Sequence, residues 1–266
     1  MVLRCPICGM ELEREEKSWR CGSGHSFDIA RQGYVNLLPV QFKHSRNPGD
    51  TRRQVLARRA FLDSGSYLPI AQAVSEVVKG CTAGGILMDV GCGEGYYAFR
   101  AAQAAGLQLI GLDISKEAVR CAAARYKQAT WICATASHLP VADGSVDVLM
   151  SMFALTIPGE FARVLRSGGV FIQVLAARDH LLGLKSVIYP EVFYREKESS
   201  PELPGFIRLE SREIRFEFSL RGEQVQNLLA MTPHFWRISA DGALRLRETE
   251  SLTDRASCVM NVYRKA

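Results

Sequence analysis

Between residues 86 and 175, short apolar runs alternate with stretches of helical spacing, and the alternation is regular enough to fix a fold class. Apolar runs at 86–90, 109–114, 130–134, 146–153 and 169–175 read as strands, and residues 95–105, 116–126 and 158–166 between them as helices. That order predicts an α/β, doubly wound, Rossmann-like parallel sheet. Upstream, helical spacing covers 51–62, with Val55, Leu56, Ala60 and Phe61 on one face, and a second helix carries Leu68, Ala71, Val74 and Val78. Downstream the signal is weaker. Residues 180–189 have apolar helical spacing, 206–220 alternate like a strand with one charged face, 224–231 read as a helix and 258–263 as a terminal strand. All belong to one domain on this reading, with a substrate-facing insertion around 178–205.

The chemistry enters where the first strand ends. DVGCGEGYY at 89–97 places Gly91, Gly93 and Gly95 straight after a buried strand, and a helix follows. A dinucleotide fingerprint would need its third glycine at 96, where this chain has Tyr96. The G-x-G-x-G form is instead that of S-adenosylmethionine enzymes. Asp113 closes the second strand about twenty residues further on, where a carboxylate can accept hydrogen bonds from ribose hydroxyls. Asp89 and Asp113 then stand at the carboxyl ends of adjacent parallel strands, the ligand-binding edge of such sheets. The loop at 137–140 lies where adenine would pass, and residues 150–155 where a methyl acceptor would enter.

With 266 residues and 47% apolar composition, the chain can bury one full domain and carry a small module beside it. No window approaches a membrane span and the start MVLRCPICG lacks an apolar signal region, so a cytoplasmic location is expected. The net charge of +5 is carried by the first 60 residues. Arg31, Lys43, Arg46, Arg52, Arg53, Arg58 and Arg59 face Asp50 alone within 31–59, a stretch suited to a polyanion or simply to solvent. Tyr34 and Phe42 in the same stretch could stack on single-stranded nucleic acid or pack inside.

Eight cysteines fit a reducing compartment, where thiols bind metal or pack. Cys5-Pro-Ile-Cys8 and Cys21-Gly-Ser-Gly-His25 have the spacing of one closed, structural Cys3His zinc site. Cys81, Cys92, Cys121, Cys133 and Cys258 show no ligand spacing and read as packing residues.

Beyond these features the chain resembles the 23S ribosomal RNA guanine-N1 methyltransferases of the RlmA type. The resemblance runs from the zinc ligands through FD-x-A, GYVNLLPVQ, PGD, ARRAFLD-x-G-x-Y, DVGCGEGYY, GLDISK, HLLGLK-x-x-IY-x-E, LRG and MTP-x-x-W. It implies a class I S-adenosylmethionine-dependent methyltransferase domain at 61–266, a zinc-binding RNA-recognition module at 1–33 and a basic connector at 34–60. The reaction it implies is methylation of guanine N1 in a hairpin of 23S ribosomal RNA by a homodimer. It adds Tyr67, the Gly93–Glu94 pair and His180 to the cofactor contacts. One departure stands out: where relatives end the fourth strand with aromatic-Ala-Pro, this chain has Phe153-Ala154-Leu155-Thr156.

Such a reaction needs a base for the N1 proton, expected to be a carboxylate or histidine near the ends of the first and fourth strands. Two other readings fit the sequence: a methyltransferase of a small molecule or protein, and a zinc-dependent RNA-binding factor without catalysis.

Overall fold

The computed structural model describes residues 2–43, 45, 47–192 and 199–266, so Arg46 and residues 193–198 of the expected insertion lie outside the described residues. Three short strands open the chain: β1 (Leu12–Arg14), β2 (Ser18–Cys21) and β3 (Ser26–Asp28) form an antiparallel sheet. Next come β4 (Tyr34–Asn36), α1 (Arg52–Asp63) and α2 (Leu68–Cys81). Strand and helix then alternate through β5 (Ile86–Val90), α3 (Tyr96–Ala105), β6 (Gln108–Asp113), α4 (Lys116–Arg125) and β7 (Thr130–Cys133). The core is completed by β8 (Val146–Met152), α5 (Pro158–Val164), β9 (Leu165–Ala176) and α6 (Leu182–Ile188). Last are β10 (Phe206–Arg221), α7 (Glu223–Ala230), α8 (Ala240–Glu248) and β11 (Ser251–Lys265).

The main sheet has eight strands in the order β10-β11-β9-β8-β5-β6-β7-β4. Six are parallel, and β11 and β10 close one edge as an antiparallel pair. Strand order reverses between β5 and β8, which opens a crevice at their carboxyl ends.

Local chemistry sets the helix starts. Thr51 accepts from the Gln54 amide while Gln54 reaches back to the Thr51 amide, a reciprocal cap that fixes where α1 begins. Ser115 caps α4 through the Ala118 amide at 3.2 Å.

The face expected for α1 needs correcting: Gln54, Val55, Ala57, Phe61 and Leu62 are buried, whereas Leu56 is exposed and Ala60 too. Leu56 and Ala60 are one turn apart, so both ride on the solvent side once Phe61 and Leu62 point inward. Strand β4 emerges from a stretch that shows no period, because three residues are too few to display one. Helix α8 leaves no apolar period in the sequence, since Leu246 is its one buried large apolar side chain.

The two faces of the sheet are covered differently. On one, Phe61, Ile70, Val74, Ala98 and Val119 of α1 to α4 share a core. On the other, Phe161 and Val164 of α5 are joined by Leu3, Leu12 and Trp19 of the N-terminal module, which pack with Met88, Val90, Ile110 and Leu112. The module therefore finishes the core of the large sheet, and its stability does not rest on metal alone. Among the described residues no helix is long and apolar enough to cross a membrane.

Candidate cofactor crevice and metal centre

The glycine turn leaves β5 at Val90 and folds back on β6, with the Gly91 and Cys92 amides both donating to the Leu112 carbonyl. Gly91 has φ +84°, and a Cβ there would lie 2.5 Å from Cβ of Ala154, the residue after next beyond β8. No other residue type fits that approach. At Gly95 (φ +83°) a Cβ would strike the Trp131 ring at 2.4 Å, so the indole of β7 props the turn from below.

Three carboxyl groups converge here. Asp113 Oδ2 accepts from the Gly93 amide at 2.9 Å and Oδ1 from the Ser115 amide at 2.8 Å. Burial nevertheless raises its pKa, opposed by these two amides. Glu94 is 2% exposed and burial lifts its pKa to about 6, with Arg58 pulling the other way. Asp89 is 1% exposed; burial, and then the charges of Asp113 and Glu94, push it up to about 8. Among the described residues its Oδ1 has no hydrogen-bond partner, and neither has the Tyr96 hydroxyl. A buried, unpartnered carboxyl oxygen is costly and suits a site built for a cationic ligand. An adenosyl sulfonium donor offers two positive groups and a ribose diol, so these residues fit it.

Arg58 is the functional neighbour that sequence patterning missed. It is paired with Asp50 (Nη1–Oδ2 2.5 Å), donates to the Met231 carbonyl at 3.2 Å, and lies 3.7 Å from where a Gly93 Cβ would be. In the sequence it is one cation of the basic stretch at 31–59 and a member of the ARRAFLD block.

Tyr67 and His180 meet at the same mouth. The Ser257 amide donates to His180 Nδ1 at 3.1 Å, so Nε2 carries the proton and donates to the Tyr67 hydroxyl at 3.2 Å. Burial, reinforced by Lys185, lowers the His180 pKa to about 4. A histidine that is neutral, with Nδ1 occupied and Nε2 protonated, is a poor base. His180 is therefore ill suited to the role of the expected base. The ring of His180 is 5.9 Å from that of Phe153, whose neighbour Ala154 touches the glycine turn. In the loop at 137–140, expected to pass the adenine, His138 stacks on Phe42 of the connector, centroids 4.4 Å apart.

The metal centre lies apart, in the N-terminal module. The ligand atoms of Cys5, Cys8, Cys21 and His25 lie within 4.8 Å of one another. Cys8 Sγ is 3.7 Å from Cys21 Sγ, and His25 Nδ1 is 3.6 Å from Cys5 Sγ and 3.4 Å from Cys21 Sγ. A tetrahedral ion with Zn–S of about 2.3 Å requires sulfur–sulfur edges of about 3.7 Å. The donors fit one structural zinc with no open position. Among the remaining cysteines Cys92, Cys133 and Cys258 are buried, Cys81 and Cys121 half-buried.

Comparison with known proteins agrees with both centres. Residues 3–46 match the N-terminal zinc-ribbon model of RlmA, and residues 88–173 match a methyltransferase domain model. A Streptomyces fradiae protein named 23S rRNA (guanine(748)-N(1))-methyltransferase is 34% identical over 91% of this chain and 89% of its own length. A Micromonospora griseorubida protein, provisionally named for 23S rRNA guanine-N(1) methylation, is 37% identical over 68% of each chain. For the fold, a methyltransferase from Anaeromyxobacter dehalogenans superposes with a TM-score of 0.51 at 21% identity, covering 72% of this chain and 95% of that one.

Proposed function

The chain belongs to the RlmA-type 23S rRNA guanine-N1 methyltransferases, and from that premise we propose that it methylates N1 of a guanine in a hairpin of 23S ribosomal RNA. The observation that carries this is the pairing, on one sheet, of a Cys3His ribbon with a glycine turn flanked by buried carboxyls. A methyltransferase of small molecules has no use for a zinc ribbon built into its core. A purely binding factor has none for Asp89 held in the sheet with Oδ1 unpartnered among the described residues.

S-adenosylmethionine, when bound, would supply the methyl group on a sulfonium. In this reading Asp113, held by the Gly93 and Ser115 amides, would accept from the ribose hydroxyls. Asp89 and Glu94 hold negative charge against the donor, and Gly91 and Gly93 admit it to the backbone. Tyr67, oriented by His180, turns its hydroxyl proton toward the mouth. Alignment of acceptor nitrogen with the methyl, and exclusion of water by the aromatic rim, provide most of the rate in such a displacement. The N1 proton passes to a carboxyl or to water, since His180 Nε2 is already protonated. Residues 1–33 and the basic connector 34–60 grip the RNA, domain 61–266 performs transfer, and two subunits act as a pair.

The test is transfer of labelled methyl from S-adenosylmethionine to 23S rRNA taken from a strain lacking this activity, with 16S rRNA as control. Labelling of 23S alone supports the reading; labelling of neither rejects it.

A further inference from the structure

The loop that leaves β8 presents an aromatic ring under conditions that packing does not explain. Phe153 has φ +55°, the left-handed region, one of two non-glycine residues to do so among those described. Its side chain is nonetheless 38% exposed, and Leu155 two residues on is 71% exposed. Folding alone gives no reason to hold a large apolar residue in a disfavoured conformation and leave it in water; such outliers persist where function over-determines them.

The loop is held firmly at both ends. The Phe153 amide donates to the Val174 carbonyl at 2.9 Å, and Gln173 Nε2 donates to Thr156 Oγ1 at 2.8 Å. Gln173 is in turn fixed by Asn261 Nδ2 at 3.3 Å, with Asn261 fully buried. Between these anchors Ala154 sits against Gly91, so the Phe153 ring stands beside the cofactor turn and not elsewhere on the surface. His180 at 5.9 Å and Tyr97 at 6.5 Å back it as a rim of rings.

The geometry points to Phe153 as the stacking platform for the target guanine once that base has left the RNA helix. This rests on the proposed function, which requires a flat purine to arrive at the crevice edge where the ring stands. Extruded bases are held in such pockets by stacking, and the rigid backbone keeps the ring from following the base out again. Phe153 thus contacts the substrate base through its face.

Four proteins decide it: the parent, Phe153→Ala, Phe153→Leu and Phe153→Tyr. Each is assayed for kcat/KM on an unmodified 23S rRNA hairpin, for S-adenosylhomocysteine affinity by calorimetry and for Tm. Loss of one stacked base predicts a fall in kcat/KM of about 10- to 100-fold for Ala and for Leu. Tyr keeps the ring and should stay within about threefold, as should cofactor affinity throughout. Leu at parental rate, or a parallel loss of cofactor affinity and Tm in Ala, would make Phe153 a packing residue and overturn the assignment. A parent that methylates no ribosomal RNA would overturn the function itself and the assignment with it.

Discussion

Tyr67 and His180 meet across 3.2 Å, hydroxyl against Nε2, although 113 residues separate them. The Ser257 amide on the far nitrogen makes the histidine a donor, so the tyrosine proton is free to turn toward a ligand. Tyr67 is buried and His180 half-buried beside the crevice, where a hydrogen bond to bound ligand is worth more than in water. Tyr67→Phe should therefore weaken S-adenosylmethionine binding about 5- to 10-fold while changing stability by no more than about 1 kcal/mol. His180→Ala in the Tyr67→Phe background should add less than it does alone. Calorimetric affinities for the two single variants and the double variant check this; strict additivity would mean that the pair does not act as one unit.

Asp89 sets a pH dependence. In the free protein its pKa stands near 8, chiefly through burial, so near neutrality it is largely protonated. A cationic donor favours the carboxylate and draws the pKa down, so binding expels a proton and affinity rises with pH through about 6 to 8, flattening above. The same shift has the opposite sign for folding without cofactor: the folded state holds the proton more tightly than the unfolded chain, so this group's contribution to stability is lost as pH rises from about 4 to 8. Titrations at pH 7 in two buffers of different ionisation heat should register proton release, and Asp89→Asn should remove most of it, leaving the smaller pH dependence that Glu94 contributes near pH 6. Proton uptake, or an unchanged slope in the variant, would refute the assignment.

Gly91→Ala should remove cofactor binding and lower stability. Its left-handed backbone costs a side chain about 1–2 kcal/mol, and overlap with Ala154 adds about 1–3 more. Thermal melts with and without S-adenosylmethionine read both effects: the parent should melt higher with ligand, the variant lower than the parent and without a ligand shift.

These features differ in how far the sequence exposes them. Gly91, Gly93, Gly95 and Asp113 are legible because the turn is local and its spacing to the next strand is set by one helix. The four zinc ligands are legible for the same reason. The meeting of Tyr67 with His180 is not, because it depends on β11 bringing Ser257 beside the end of β9, and composition carries no trace of that register. Only the resemblance pointed to the two residues. Arg58 read as one more cation of a basic stretch until α1 was folded against the glycine turn. The N-terminal module reads from the sequence as a small unit beside the large domain, since apolar positions such as Leu3 and Trp19 do not announce that their partners are in β5 and β6.

That shared core changes what metal removal should do. Cys8→Ala, or chelation of the wild-type protein, should lower Tm of the whole chain and weaken RNA binding. Cofactor affinity at 25 °C should stay within about threefold, because the glycine turn lies at the strand ends. Release of one zinc per chain, followed with a colorimetric chelator during the melt, checks the stoichiometry. An unchanged Tm in metal-free protein would contradict the structural role.

The most direct test of the account is nucleoside mass spectrometry on 23S rRNA from a strain lacking this protein, before and after incubation with the purified enzyme and S-adenosylmethionine. The predicted result is a single new product, 1-methylguanosine, that disappears with the Asp113→Ala variant. A methyl group on another guanine atom or another base, or no product from protein that binds the cofactor, would contradict it.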